Sequence, residues 1–104
     1  MTMPFTSVIN FQVKPGMEAQ FEAAFARCGM LERPKAVEGF IKADLIRSVD
    51  DPPAYFVVGE WETEQAYADW QSRSREGADP AALAGLEAAI EAFRPGRLYR
   101  TIYS

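Results

Sequence analysis

The stretch YFVVGEWETEQAYADW, residues 55–70, decides the fold of this chain. Its first seven residues are mostly aromatic or β-branched, a composition that favours a β-strand. Because successive side chains of a strand point to opposite faces, Tyr55 and Val57 lie on one face, and Phe56 and Val58 lie on the other. Both faces of this strand are apolar, so we expect both faces of its sheet to be buried.

The second half of the same stretch predicts a helix. Thr63 suits the N-cap position, where a side-chain oxygen accepts a hydrogen bond from the backbone. Ala66, Tyr67 and Trp70 then share one face of the helix, since residues three and four apart are neighbours there. This face is apolar, and we expect it to pack against one side of the sheet.

The rest of the chain supplies three further strands and two further helices. In chain order, the predicted elements are a strand at 6–13, a helix from residue 17, strands at 37–48 and 55–61, helices after residues 63 and 79, and a strand at 97–103. Apolar residues at helical spacing mark the last helix: Leu83, Leu86, Ile90 and Phe93. We expect Pro95 and Gly96 to end it. This order of elements is that of the split βαβ, ferredoxin-like fold, which belongs to the α+β class. We expect a single domain over residues 1–104, with a four-stranded antiparallel sheet and the helices on one face of it.

Helices on one face leave the other face of the sheet uncovered, although its residues are apolar. One chain of this length lacks the mass to cover that second face. A second copy, packed sheet against sheet around a two-fold axis, covers it most simply. We therefore expect a homodimer.

Composition and charge exclude several classes of function. The 104 residues include 11 basic and 15 acidic side chains, a net charge of -4, and the basic residues are scattered, so nucleic acid is not an expected partner. The opening residues MTMPFTSVINF show no basic segment followed by an apolar one, so we expect no signal peptide. No apolar run reaches the length needed to cross a membrane. The single cysteine, Cys28, cannot form an internal disulfide. We expect a cytoplasmic protein that makes no contact with membranes.

The chain contains no histidine, and this excludes further chemistry. Ser-His-Asp and Cys-His nucleophiles are impossible, and zinc sites built from Cys and His are not expected. Haem cannot be held by a proximal histidine. We expect no metal site and no cofactor.

Three segments carry a family resemblance: VINFQVKPGMEAQFEAAF, VEGFIKADLIRS and YFVVGEWETEQAYADW. Together they resemble the antibiotic biosynthesis monooxygenase family over about residues 5–75. The resemblance implies a dimeric α+β barrel formed by sheet-to-sheet packing. It also implies one of several functions, because the family includes cofactor-free oxygenases of polyketide phenols or anthrones, haem-degrading monooxygenases, and proteins of no known activity.

The haem-degrading branch of the family can be compared residue by residue. It is similar in having an Asn on the first strand, matched by Asn10, and a Trp on the helix after the third strand, matched by Trp70. It also needs a haem-ligating His beyond that Trp, where this chain reads QSRSREGADP. The residue that binds the iron is missing, so haem degradation by the usual route is not expected.

Six residues are candidates for a site. If the face of Ile9 meets the partner sheet, Asn10 and Val8 point at the protein's own helices, where the Asn10 amide can bind a substrate oxygen. Trp70 and Tyr67 face the same space from their helix and suit a flat aromatic ligand. The candidates are three catalytic residues, Asn10, Trp70 and Tyr67, and three substrate-binding residues, Phe21, Phe25 and Val8. Each also has an ordinary structural interpretation, as a core residue or as part of a structural hydrogen bond.

These observations favour a small dimeric monooxygenase that oxidises an aromatic phenol or quinol with O₂. Deprotonating such a substrate gives an anion that can reduce O₂, and the protein supplies desolvation and hydrogen bonds to the developing oxyanion. Without histidine, the base must be Tyr, Asp or Glu, unless the substrate ionises by itself. Two alternatives stay open: a haem-binding or haem-degrading protein with a ligand other than His, and a non-catalytic dimer that binds a small molecule.

Overall fold

The computed structural model describes residues 3–103. In chain order it contains β1 (Phe5–Val13), α1 (Glu18–Arg27), a short 3₁₀ helix (Arg33–Ala36), β2 (Phe40–Arg47), β3 (Ala54–Trp61), α2 (Glu64–Arg73), α3 (Pro80–Ala89) and β4 (Ile90–Arg100). This order confirms the predicted α+β, ferredoxin-like arrangement. Each α-helix has 10 residues, and within the described chain no helix is long and apolar enough to cross a membrane.

The four strands form one antiparallel sheet in the order β2-β3-β1-β4. β2 and β3 are consecutive antiparallel neighbours and form a hairpin, and β2 and β4 lie at the two edges. α2 begins as predicted, because the Thr63 side-chain oxygen accepts a hydrogen bond from the Ala66 backbone N–H at 3.1 Å. That bond satisfies one of the backbone donors that a helix start leaves without a partner.

The helices cover one face of the sheet, and aromatic contacts show which face it is. The ring centroid of Phe21 in α1 lies 5.6 Å from that of Phe11 in β1 and 4.8 Å from that of Tyr55 in β3. Since side chains alternate along a strand, Ile9 faces the helices together with Phe11, and Asn10 lies on the other face. The expectation that the Ile9 face meets a partner sheet, with Asn10 turned to the helices, is therefore wrong.

The face without helices, here called the open face, has an apolar centre. Val8 of β1 lies opposite Val58 of β3, with Phe56 two residues away on the same face. Ile46 and Tyr99 extend the patch towards the two edges, with exposed fractions of 49% and 52%. The sequence prediction that both faces of β3 are apolar is thus confirmed.

The C-terminal strand is longer than predicted. α3 ends at Ala89, whereas Ile90 and Phe93, expected on the helix, belong to β4 and pair with β1. Pro95 and Gly96, expected to end a helix, lie inside β4. An edge strand tolerates both residues, because it has a side on which a missing N–H breaks no ladder hydrogen bond.

Two buried clusters fill the space between sheet and helices. The larger cluster lies under α1 and α3 and includes Phe21 and Cys28. The second cluster joins α2 to the sheet and centres on Trp61. The Trp61 indole N–H donates a hydrogen bond to Ser7 Oγ at 2.9 Å, which satisfies the polar atom of a ring that is otherwise enclosed by apolar side chains.

Candidate functional site

A cavity of about 530 Å³ lies on the helix-covered face, between α3 and the β1–β4 half of the sheet. Its lining comes from β1 (Ile9, Phe11), α3 (Leu83, Leu86, Glu87), β4 (residues 90–93, 95 and 96) and the segments between helices (Met30, Ser74, Arg75). Most of these side chains are apolar and a few are charged. This is the usual chemistry of a pocket that binds a small organic molecule.

Two β-bulges shape the β4 wall of the cavity. Relative to β1, one extra residue of β4 falls between Arg94 and Arg97, and another, Glu91, falls between Ile90 and Ala92. Bulges bend a strand and redirect its side chains, and they are frequent beside active sites. Both bulges lie in or next to the segment of β4 that lines the cavity.

An aromatic pair forms part of the cavity wall. The rings of Phe11 and Phe93 lie 6.2 Å apart between centroids, with planes inclined by 28°. Phe93 is 60% exposed, so its free ring face is available to a ligand. Offset stacking between aromatic rings is favourable, and the pair therefore suits a flat aromatic molecule.

The hydroxyl of Tyr67 lies directly behind the end of the cavity. A Cβ atom on Gly96 would collide with this hydroxyl and would come within 3.0 Å of Ile9 Cγ1, so Tyr67 packs against two residues of the cavity lining. Tyr67 Oη accepts a hydrogen bond from Gln71 Nε2 at 3.1 Å, which leaves the phenolic proton free to be donated. Burial raises the pKa of Tyr67. The group is therefore a hydrogen-bond donor at neutral pH and a poor base.

Charged residues stand beside the apolar walls. Arg75 and Glu87 form an ion pair at 3.2 Å, with both side chains at least half exposed. Glu91 also lines the cavity and is exposed. Reasoning from sequence did not select Glu87 or Glu91, because the bulge that positions Glu91 depends on pairing with β1 and has no local sequence signal.

Trp70 lies in the second buried cluster and is not among the residues that line the cavity. Its side chain is 9% exposed, and the Arg33 guanidinium carbon lies 5.1 Å from its ring centroid. Arg33 also donates hydrogen bonds to the carbonyl oxygens of Cys28 at 2.9 Å and Ser74 at 2.6 Å. The Trp70 ring is thus held where the end of α1 meets the end of α2.

The six candidate residues do not meet in one pocket. Asn10 and Val8 lie on the open face, and Asn10 Nδ2 donates a hydrogen bond to the Tyr55 carbonyl at 3.1 Å. Phe21 and Phe25, with exposed fractions of 0% and 4%, belong to the larger buried cluster and do not line the cavity. The pocket expected to join Asn10 to the aromatic residues of α2 is therefore not formed within one chain, and the catalytic and binding roles of all six stay predictions.

The described residues do not favour a metal site or a reactive thiol. Among residues 3–103, no group of three or more His, Cys, Asp or Glu side chains is placed to hold a metal ion. The thiol of Cys28 lies in the core, outside the cavity lining, and burial raises its pKa. A buried thiol of this kind is a weak nucleophile.

Comparison with known proteins decides the family. A family model described as antibiotic biosynthesis monooxygenase matches residues 4–78, which is most of the chain. The chain belongs to this family. The expected resemblance, stated over about residues 5–75, is confirmed, because the family model covers all of that range.

Solved structures share the fold of this chain over nearly its whole length. SnoaB, a cofactor-independent oxygenase from Streptomyces nogalater, is 23% identical with a TM-score of 0.71, covering 98% of this chain and 96% of that one. A conserved protein from Methanosarcina mazei is 18% identical with a TM-score of 0.74, covering 95% of this chain and 93% of that one. At these identities the likeness establishes the fold, and the chemistry has to be argued from the site.

One curated relative is more similar to the chain in sequence than these solved structures are. "Heme oxygenase (mycobilin-producing)" from Mycobacterium tuberculosis is 34% identical over 71 residues, which are 65% of this chain and 63% of that protein. The matched segment thus spans less than two thirds of the relative's length.

Proposed function

We propose that the protein is a cofactor-independent monooxygenase that oxidises an aromatic, polyketide-like phenol or quinol with O₂. The observation that carries the proposal is the apolar cavity between α3 and β4, with the Phe11–Phe93 pair in its wall and the Tyr67 hydroxyl behind its end. Such a site stacks a flat ring and places a hydrogen-bond donor near one of its oxygens. Membership of the family and a fold shared with a cofactor-independent oxygenase support the proposal.

The reaction needs no cofactor, because an electron-rich substrate supplies the electrons. Loss of a proton gives a substrate anion, which passes an electron to O₂, and the two radicals combine. One oxygen atom stays in the product and the other leaves as water. The apolar walls shield one side of this anion from water, and the Tyr67 O–H donates to the developing oxyanion, so that positioning and electrostatic stabilisation provide the catalysis.

The proposal includes a homodimer joined through the open face. Sheet-to-sheet packing would bury the apolar centre formed by Val8, Phe56 and Val58. Each cavity would stay on the outer side of its own sheet, beneath its own helices. We place this dimer in the cytoplasm, with neither nucleic acid nor membrane among its partners.

Haem binding is the second candidate function, because the relative from Mycobacterium tuberculosis is named for heme oxygenase activity. The side chains of this chain do not match those that usually bind haem iron. The chain has no histidine, Cys28 lies in the core, and the sulfur of Met30, in the cavity wall, already contacts Arg33 Nη2 at 3.7 Å. Tyr67 would have to lose a proton that burial retains. We therefore derive no reaction step through haem.

Oxygen uptake with dithranol, a tricyclic anthrone, tests the proposal. We expect the native protein to consume O₂ and to form the anthraquinone faster than spontaneous oxidation does. Tyr67→Phe should be slower by about a hundredfold, because it removes one donor to the oxyanion. Tyr55→Phe is the matched control, since it removes a buried hydroxyl that is bonded to Glu22 and is not packed against Gly96 of the cavity lining, and it should keep the native rate.

The alternatives give different results in the same assay. Dithranol binding without oxygen uptake would support the non-catalytic binding dimer. A Soret band on adding hemin, with no oxygen uptake from dithranol, would support haem binding. Either result would contradict the proposed monooxygenase.

A further inference from the structure

We infer that Glu91 is the general base of the proposed reaction. The inference rests on the proposed function, since a base is needed only where a substrate proton has to be removed. Phenols and anthrones are weak acids, and a positioned base speeds proton removal by about 10²–10⁴-fold. Because the chain has no histidine, the base has to be found among the carboxylates and phenols of the cavity.

Only one of the titratable groups at the cavity suits this role. Burial keeps the Tyr67 hydroxyl protonated, so it serves as a donor. The carboxylate of Glu87 is already engaged by the Arg75 guanidinium at 3.2 Å. Glu91 lines the same cavity, and within residues 3–103 its carboxylate takes part in no ion pair and in no hydrogen bond between side chains.

The geometry of β4 turns Glu91 towards the substrate. Glu91 and Phe93 are two residues apart in the strand, so they share a face, and both line the cavity. Ile90 pairs with Val13, which is fully buried, so Ile90 also points to the helix-covered face. Ile90 lines the cavity as well. The bulge at Glu91 thus places two consecutive residues on one wall, which a regular strand cannot do. A ring stacked on Phe93 would lie beside the Glu91 carboxylate.

The proton and electron balance closes with Glu91 and O₂ alone. Glu91 takes a proton from the acidic substrate CH₂ group, the C–H electron pair stays in the substrate as an enolate, and the Tyr67 O–H donates to its oxygen. The enolate gives one electron to O₂, the radicals form a C–O bond, and Glu91 returns the proton to the outer oxygen. Glu91 then removes the second proton as the O–O bond breaks, a C=O group forms, and the proton completes the departing water. The sum is CH₂ plus O₂ to C=O plus H₂O, and Glu91 ends as a carboxylate.

The test compares Glu91→Gln with Glu38→Gln in the dithranol assay. Both substitutions remove one exposed carboxylate and keep the size of the side chain, but Glu38 lies outside the cavity lining. We expect Glu91→Gln to lower kcat by about a hundredfold or more with KM near the native value, whereas Glu38→Gln keeps the native kcat. Formate or acetate should restore turnover to Glu91→Ala, because a small carboxylate can enter the space that the side chain leaves, and circular dichroism checks that each variant folds.

The outcomes separate this inference from the function on which it rests. If the native protein consumes no O₂ with dithranol, the proposed function fails and the assignment of Glu91 fails with it. If the native protein is active and Glu91→Gln turns over at the native kcat, the function stands and the assignment is wrong. A raised KM with unchanged kcat, or Glu91→Ala that no small carboxylate restores, also overturns the assignment, since Glu91 would then act in binding or in structure.

Discussion

Gly96 is the residue at which β4 comes closest to α2. The Tyr67 hydroxyl occupies the space where a Cβ of Gly96 would stand, and Ile9 Cγ1 lies 3.0 Å from that position. A close approach of this kind needs a residue without a side chain. It lets a phenol on a helix reach the back of a cavity that is lined by strands.

Gly96→Ala is expected to lower the free energy of unfolding by about 1–3 kcal/mol, because the added methyl group overpacks this contact. In a Tyr67→Phe background the same substitution should cost less, since the colliding hydroxyl is gone and the remaining close atoms are Ile9 Cγ1 at 3.0 Å and the ring Cζ of residue 67 at 3.2 Å. Urea denaturation of the four proteins measures both costs. Equal costs in the two backgrounds would show that Gly96 does not accommodate Tyr67.

Asn10 shows why the site was harder to predict than the fold. The alternation of residues 6–13 correctly predicts a strand, but alternation alone does not say which face meets the helices. The more apolar face, with Ile9 and Phe11, packs on the helices and lines the cavity. Asn10 therefore lies on the open face. The Tyr67 hydroxyl packs against Gly96, a residue of the cavity lining, but Tyr67 itself does not line the cavity.

β4 is the element that sequence patterns describe least well. Ile90 and Phe93 continue the helical spacing of Leu86, so periodicity extends the helix through them. Instead, Ile90 and Phe93 pair with β1, because Ile and Phe also favour strands. Without these residues β1 would have no partner on its β4 side along half its length. Long-range pairing of this kind is not encoded in any short stretch of sequence. For the same reason, sequence patterns do not identify Glu91 as a candidate site residue. The strands and helices with a clear period, by contrast, were predicted to within a few residues.

The contact between α1 and β3 makes the free energy of unfolding depend on pH in the alkaline range. Tyr55, which is 1% exposed, donates a hydrogen bond to Glu22 Oε2 at 2.5 Å. Burial, with the Glu22 hydrogen bond and charge, raises the pKa of Tyr55 from 10.0 to about 12. Below pH 10 the phenol is neutral in both the folded and the unfolded chain, whereas between those values it ionises only in the unfolded chain. Raising the pH through this window therefore favours unfolding.

We expect Tyr55 to account for a loss of about 3 kcal/mol at most in the free energy of unfolding as the pH rises from 10.0 to about 12. The informative quantity is the difference between the native protein and Tyr55→Phe, because the two proteins share every other ionisable group. Denaturation at several pH values measures it. The difference should shrink as the pH rises, and a difference independent of pH would contradict the assignment.

At the scale of the whole molecule, the two faces of the sheet differ in what they contact. The helix-covered face holds both buried clusters and the cavity. The open face has an apolar centre with charged residues around it, such as Asp44 opposite Val58. A stable interface buries about 800 Å² on each partner, and an apolar centre with a polar rim is its usual composition. The open face therefore suits a second copy of the chain.

We expect the native protein to sediment at twice the mass of one chain at micromolar concentration. Val58→Lys should give a folded single chain, because it places an ammonium group in the centre of the open face, where the partner sheet would have to desolvate it. Val49→Lys is the matched control. It makes the same change at a residue that is 91% exposed, beyond the end of β2, and it should stay dimeric.

Analytical ultracentrifugation of the three proteins distinguishes the possible interfaces. A native protein that sediments as one chain would show that the open face meets only water, and its apolar centre would then be a surface patch. A dimer that survives Val58→Lys would place the interface elsewhere, for instance at the free edge of β2 or β4. If Val58→Lys dissociates the dimer and still oxidises dithranol, each cavity is complete within one chain, as its position beneath the chain's own helices requires.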